Sequence, residues 1–277
     1  MSSEKPLLAG VMGWPIHHSR SPRLHNYWLR QHRIAGQYMP LPIMPEQLAL
    51  ALRALPVLGY AGCNLTLPHK TAAMALMDDV DRDAQRIGAI NTVVVRDDGT
   101  LYGRNTDVEG FVHNLLQAGC PISAGPALVL GAGGAARAVL AGLRQQHCPE
   151  IYIANRTPGR AEELAEWFGE PVQAIGWDER HQLMSMMNLV VNATSQGMKG
   201  QPALDINLSA LPTGAFVNDL IYHPLETPLL QQAKKLGLHV ADGLGMLLYQ
   251  AVPAFAAWFG QTPTITPELR CLMAEGL

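Results

Sequence analysis

The chain has 277 residues, 48% of them hydrophobic and 16% charged, which is enough apolar material for a large core and enough length for two domains. Its formal net charge of -3 and pI near 6.4, with Lys and Arg scattered rather than clustered, exclude the electrostatic footprint of a DNA- or RNA-binding protein. Four cysteines (Cys63, Cys120, Cys148 and Cys271) lie far apart with no CxxC pair; they fit reduced thiols in the cytoplasm, not a disulfide framework or a zinc site, so no metal is expected.

The opening MSSEKPLLAG lacks the long apolar region of a signal peptide, so a cytoplasmic location is expected. LLAGVMG (7–13) reads as a buried strand, and SPRLHNYWLRQH (21–32) as a helix with Ser21 as N-cap and Pro22 at the first helical position. QYMPL, PEQLALALRAL and GCNLT continue a strand–helix alternation, which predicts α/β architecture with a largely parallel sheet.

In GCNLTLPHK (62–70) the chain is expected to enter a helix around Pro68, putting Lys70 in the first turn. Unpaired N–H groups carry partial positive charge there, and structure alone favours an acid. A helix start disfavours the ammonium form and is expected to move Lys70 toward acid–base behaviour at working pH. The plainer alternative is a long stem that carries the ammonium to solvent.

INTVVVR, DDG and TLYGRN form a hairpin pattern. In TDVEGFVHNLLQAG, Thr106 and Glu109 match a capping box, so Asp107 falls at a helix opening that favours its charged form. Simple complementation of the helix dipole explains Asp107 as well.

From Pro126 a new series begins: strand ALVLG, a glycine turn, helix AARAVLAGLRQQ, strand IYIAN, helix PGRAEELAEWF, and strands PVQAI, LVVNAT and AFVND. This is βαβαβ order, a doubly wound domain. The run PALVLGAGGAARAVLAGL approaches membrane length, but Arg137 and its clustered glycines argue against a span. TPLLQQAKKLG, HVADG and the apolar helical stretch LGMLLYQAVPAFAAWFG complete the chain, with no repeat and no Gly/Ser linker.

Gly131, Gly133 and Gly134 follow a hydrophobic strand and open a helix, with Ala136 where the dinucleotide fingerprint tolerates Gly or Ala. Such glycines let backbone approach a pyrophosphate whose charge the helix N-terminus stabilises; a tight turn without a ligand is the plainer reading. At the end of the next strand, where an acid would select NAD, stands Asn155, followed by Arg156 and, one helical turn on, Arg160. The two arginines suit a 2′-phosphate, so NADP is expected, while two solvated arginines would leave NAD open.

The motifs GWPIHHSRSPRLHN, GCNLTLPHK, GAINTVV, GRNTDVEG, GAGGAARA, NRT, NATSQGM, DLIYHPLETPLL and GLGMLLYQA together resemble the shikimate dehydrogenase family along nearly the whole chain. The resemblance implies an N-terminal substrate domain (1–107), a Rossmann NADP-binding domain (108–243) and a C-terminal helical segment (244–277) returning to the first domain, with the reaction in the cleft between the two. It implies that Ser19 and Ser21 hold the substrate carboxylate, that Asn64, Thr66, Lys70, Asn91, Asp107 and Gln250 surround the ring hydroxyls, and that Tyr222 is a further contact. For the cofactor it implies Ala132, Ala135, Thr157, Thr194 and Gly243 beside the glycines, Asn155 and the arginines.

Leu65 stands where the family commonly has valine, and His17 beside His18 has no assigned role. Oxidising a ring alcohol requires a proton acceptor beside its oxygen, for which Lys70 is the candidate. Asp107 is read as the ionised acceptor that orients the hydroxyl and the lysine. Asn64, Asn91, Gln250 and Ser21 also have plain readings, as satisfied core amides and an N-cap.

The expected activity is NADP-dependent interconversion of shikimate and 3-dehydroshikimate in aromatic amino-acid biosynthesis. A quinate or dual-substrate enzyme using NAD is the nearest rival, and a non-catalytic cofactor-sensing paralogue the next. The expected partner is a small molecule, without nucleic acid or membrane; a homodimer is left open.

Overall fold

The structure is a computed structural model and describes residues 6–277; the part of the signal-peptide reading that rests on MSSEK lies outside the described residues. Two compact units divide the chain, one running through Thr106 and including Gln250–Met273, the other covering Asp107–Tyr249 and Ala274–Leu277.

The first unit contains β1 (Leu7–Gly13), α1 (Ser21–Gln31), β2 (Gly36–Pro42), α2 (Leu48–Ala54), β3 (Tyr60–Leu65), β4 (Asp79–Val80), α3 (Arg82–Ile87), β5 (Thr92–Val95) and β6 (Leu101–Arg104). Its sheet has the order β2-β1-β3-β5-β6-β4. β1 lies parallel to β2 and to β3, each reached through a helical crossover, while β3, β5 and β6 are antiparallel because a tight turn, with Arg96 N–H donating to Thr100 O at 2.9 Å, joins the last two. β4 pairs with β6 in parallel as well, so the sheet is parallel-rich, as expected, with β5 as its antiparallel strand. β1 is buried without interruption from Ala9 to Gly13, as a central strand covered on both faces should be. Met12, Leu52, Leu55, Leu65, Ile90, Val93 and Leu101 form its core.

The second unit opens with α4 (Asp107–Gln117) and alternates β7 (Ala127–Leu130), α5 (Gly134–Gln145), β8 (Ile151–Ala154), α6 (Pro158–Phe168), β9 (Val172–Ile175), α7 (Arg180–Leu183), β10 (Leu189–Asn192), β11 (Phe216–Asp219), α8 (Pro228–Lys235) and β12 (His239–Ala241). Every pairing in its sheet is parallel, in the order β12-β11-β10-β7-β8-β9. Strand order reverses between β7 and β10, and in such sheets ligands bind beyond the carboxyl ends of the strands at that reversal.

The division between units falls inside α9 (Gly243–Phe259), and α10 (Pro267–Ala274) follows. The second half of α9 belongs to the first unit, where Trp258 Nε1 donates to Val93 O at 2.9 Å. Gly62 makes this approach feasible: its φ is +154°, and a Cβ there would collide with the indole nitrogen. No described helix is long and apolar enough to cross a membrane.

Two local expectations are corrected. α1 begins at Ser21 itself, with Arg20 as the preceding residue, so Ser21 is not the cap; its amide instead donates to the Ser19 hydroxyl at 3.3 Å. No helix begins at Pro68: residues 66–71 form a turn, followed by a 3₁₀ segment, Ala72–Leu76. Tertiary bonds hold this turn, since the buried His69 ring meets Ile43 O at 2.9 Å and Lys70 O accepts from Ile90 N at 2.9 Å. The helix-start argument therefore does not apply to Lys70.

Candidate active-site residues

In the first unit the carboxyl ends of the parallel strands carry the polar residues. Asn64, near the end of β3, is buried, and its side chain is held on both sides. Its Oδ1 accepts from the Tyr38 hydroxyl at 2.6 Å, and its Nδ2 donates to Asn91 O at 3.1 Å and to Thr92 Oγ1 at 3.2 Å. Asn91 is the centre of the cluster. Its Oδ1 accepts from Thr106 N at 2.8 Å and from Thr92 Oγ1 at 3.0 Å, and its Nδ2 donates to Thr106 Oγ1 at 3.0 Å and to Gln250 Oε1 at 3.3 Å.

A buried amide left unpaired loses its hydration without return, so this mutual satisfaction is what lets Asn64, Asn91 and Gln250 sit together inside the unit. Sequence separations reach 159 residues. Thr66 lies just past β3, its amide donating to Met12 O at 3.0 Å. Its methyl is close enough to β1 that a Cβ on Gly13 would come within 2.5 Å of it. Ser19 and Ser21 are joined to each other as described, and Lys70 projects from the pinned turn.

Tyr38 escaped the sequence reading, although its hydroxyl bonds to both Asn64 and Ser21. Burial raises its phenol well above the ordinary range, so it is a neutral hydrogen-bonding group. Its ring stacks on His25 with centroids 4.1 Å apart and planes within 5°. His25 is wholly buried, neither ring nitrogen has a hydrogen-bond partner among the described residues, and desolvation lowers its pKa to about 3, keeping it neutral.

In the second unit the glycine turn sits at the strand-order reversal. Gly131 has φ +104°, its N–H donates to Ala154 O at 2.8 Å, and a Cβ would stand 2.9 Å from both Ala193 O and Thr194 Cγ2. Backbone packing demands glycine here. Among the described residues, nothing lies within 4 Å of a Cβ built on Gly133, and no side chain caps the twelve-residue α5 that Gly133 precedes.

Open space over a glycine, with N–H groups at an uncapped helix start, fits an anionic phosphate group. Gly134 and Ala135 begin that helix and Ala132 precedes Gly133. At the end of β8, Asn155 Nδ2 donates to Thr157 O at 2.9 Å and Arg160 N donates to the same oxygen at 3.1 Å. Arg156 and Arg160 are exposed and, among the described residues, neither pairs with a carboxylate.

Thr194, beyond β10, is fixed by Asn192, whose Oδ1 accepts from its N at 3.0 Å and its Oγ1 at 2.7 Å. Asn192 Nδ2 in turn donates to Asp219 Oδ1 at 3.0 Å. Asp219, fully buried, also accepts from Ile221 N at 3.1 Å and from Thr227 Oγ1 at 2.7 Å. Desolvation raises its pKa to about 6 against these three donors.

Gly243 N donates to Ile221 O at 3.2 Å, and a Cβ on Gly243 would collide with Leu220 O, so the start of α9 and the segment that carries the half-buried Tyr222 are in direct contact. Asp107, 4% exposed, is the first residue of α4, directly after Thr106 of the amide cluster. Asn192 and Asp219 were also missed. The signal was available, since LVVN and FVND are apolar strands that end in polar residues, Asn192 in the first and Asn218 and Asp219 in the second.

All four cysteines are free thiols, and no cluster of three or more metal-ligating side chains exists among the described residues.

Residues 11–93 match the shikimate dehydrogenase substrate binding domain, residues 116–199 match shikimate / quinate 5-dehydrogenase, and residues 243–265 match the shikimate 5'-dehydrogenase C-terminal domain. The chain is 54% identical over 274 residues to the shikimate dehydrogenase (NADP(+)) of Paramagnetospirillum magneticum, covering 98% of this chain and 99% of that one. It is 52% identical to the same enzyme of Rhodospirillum rubrum, covering 98% of each.

Among solved structures, it is similar to shikimate 5-dehydrogenase of Thermus thermophilus in complex with NADP(H) and shikimate (TM-score 0.86, 40% identity, 97% of this chain and 98% of that one). It is also similar to quinate dehydrogenase of Corynebacterium glutamicum in complex with NAD (TM-score 0.89, 30% identity, 98% of each chain).

Proposed function

The chain belongs to the shikimate dehydrogenase family, and on that premise we propose that its first unit binds shikimate, its second binds NADP, and Lys70 moves the proton of the reacting hydroxyl. It is an NADP-dependent oxidoreductase that interconverts shikimate and 3-dehydroshikimate. The observation that carries the residue assignment is the buried amide and hydroxyl cluster around Asn91. Neutral donor–acceptor groups of this kind suit a ring bearing several hydroxyls.

In this reading Ser19 and Ser21 hold the carboxylate, while Asn64, Thr66, Asn91, Gln250 and Tyr222 position the ring. Lys70 Nζ takes the hydroxyl proton during oxidation and returns it during reduction. Asp107, which follows Thr106 in the chain, accepts a hydrogen bond from that hydroxyl and orients it and the lysine. NADP supplies the hydride chemistry when bound. Gly131, Ala132, Gly133, Gly134 and Ala135 would hold its diphosphate, Asn155, Arg156, Thr157 and Arg160 its 2′-phosphate, and Thr194 and Gly243 would border its remainder.

Measuring kcat/KM for shikimate and quinate, each with NADP and NAD, tests the assignment. The highest value is expected for shikimate with NADP. Equal turnover with NAD, or a preference for quinate, overturns it.

A further inference from the structure

Tyr38 is fixed at three points. Its backbone is clamped by one side chain, since Asn26 Nδ2 donates to Tyr38 O at 2.7 Å and Asn26 Oδ1 accepts from Tyr38 N at 3.0 Å, tying α1 to β2. Its ring lies flat on His25, with Trp258 5.9 Å away. That surrounding is aromatic and neutral, so the hydroxyl is the side chain's single polar atom. Ser21 and Asn64 are its partners.

The consequence falls on the Asn64 amide. Both Nδ2 hydrogens are taken, by Asn91 O and Thr92 Oγ1, and one lone pair of Oδ1 is taken by Tyr38. An asparagine carries two donors and an acceptor oxygen with two lone pairs. What Asn64 has left to offer a ligand is the second lone pair of Oδ1, an acceptor.

We propose that Tyr38 is a positioning residue for substrate binding, whose hydroxyl locks the Asn64 amide so that it presents an acceptor to a ring hydroxyl of the substrate. Without that hydroxyl, Oδ1 loses its buried donor, and the amide is anchored through Nδ2 alone, so the oxygen end is no longer held in place. This rests on the reading of Asn64 as a substrate contact.

The test is a double-mutant cycle in the full-length enzyme. Tyr38→Phe removes one oxygen and keeps the ring stack and the backbone clamp. It is expected to raise KM for shikimate about tenfold, the effect of one buried hydrogen bond, with kcat and KM for NADP within about twofold of the parent. The unchanged KM for NADP also shows that the variant is folded. Asn64→Ala is expected to raise KM for shikimate on its own, and Tyr38→Phe added to it is expected to raise KM by much less than it does alone, because only the hydroxyl's bond to Ser21 is then left to lose.

If Asn64→Ala raises KM and Tyr38→Phe leaves it unchanged, or if the two effects multiply, the positioning role is overturned while the substrate contact stands. An unchanged KM in Asn64→Ala overturns both.

Discussion

The two units handle polar groups in opposite ways. In the first, Tyr38, Asn64, Asn91, Thr92, Thr106 and Gln250 are packed against one another, each a side chain satisfied by side chains or by backbone. In the second, the positions assigned to the cofactor are mostly backbone and surface: a glycine turn with open space above Gly133, an uncapped helix start, and two exposed arginines. A buried polar group in this unit, Asn192, Asp219 and Thr227, holds Thr194 from the interior. A small neutral ring has to be distinguished by the direction of each hydroxyl, which needs donors and acceptors fixed before binding. A long anionic cofactor is recognised by charge and backbone shape, which need little side-chain support.

This contrast can be broken most sharply at Lys70. Lys70→Ala is expected to lower kcat about 10²–10⁴-fold, the usual contribution of a general acid–base group, with KM for shikimate changed far less; steady-state kinetics with saturating NADP reads it. A large rise in KM with kcat preserved would make the lysine a binding group only.

A smaller effect is expected on the cofactor side. Arg156→Ala and Arg160→Ala should each raise KM for NADP about tenfold or more, the worth of a charge-assisted hydrogen bond, and leave KM for shikimate unaffected. Equal effects on NAD and NADP would show that neither arginine reads the 2′-phosphate.

The smallest effects are on stability against pH, where the units should respond with opposite signs. His25 has its pKa lowered to about 3, below the ordinary value, so between that and about 6.5 the unfolded chain binds a proton that the folded chain refuses. Stability from this group falls as pH drops through that window. Asp219 has its pKa raised to about 6, so between about 3.9 and 6 the folded chain holds a proton that the unfolded chain releases, and stability rises as pH falls.

Each contributes on the order of 1–2 kcal/mol at pH 5, or a few degrees in Tm. Going from pH 7 to pH 5, His25→Phe should gain Tm relative to the parent and Asp219→Asn should lose it. Asp219→Asn can keep the geometry, because Thr227 Oγ1 is able to accept from an amide nitrogen. Matching pH profiles for parent and variant would remove either residue from the account.

Much of the chain was readable in advance. The glycine turn at 131–134, the βαβ series after it and the hairpin of β5 and β6 were visible because strand runs, turn residues and helix periodicity are local properties. Asn64, Asn91 and Gln250 were found through motif resemblance, not through any local rule. Tyr38 was missed because a lone tyrosine in QYMPL reads as strand filler until His25 and Asn64 are brought beside it. Ser21 and Lys70 were placed in the wrong local setting for a related reason: Pro22 and Pro68 are both good helix-start signals, and only at Pro22 did a helix follow within a residue.

Residues a few positions apart were enough to set the order of strands and helices and the mixed chemistry of the motifs. Long-range packing settled which amides satisfy one another, how the turn at Lys70 is pinned by Ile43 and Ile90, and how far burial moves His25 and Asp219. Hydrogen bonds behind those outcomes join groups 20, 26, 27 and 159 residues apart, and hydrogen bonding and desolvation act through space, without regard to position along the chain.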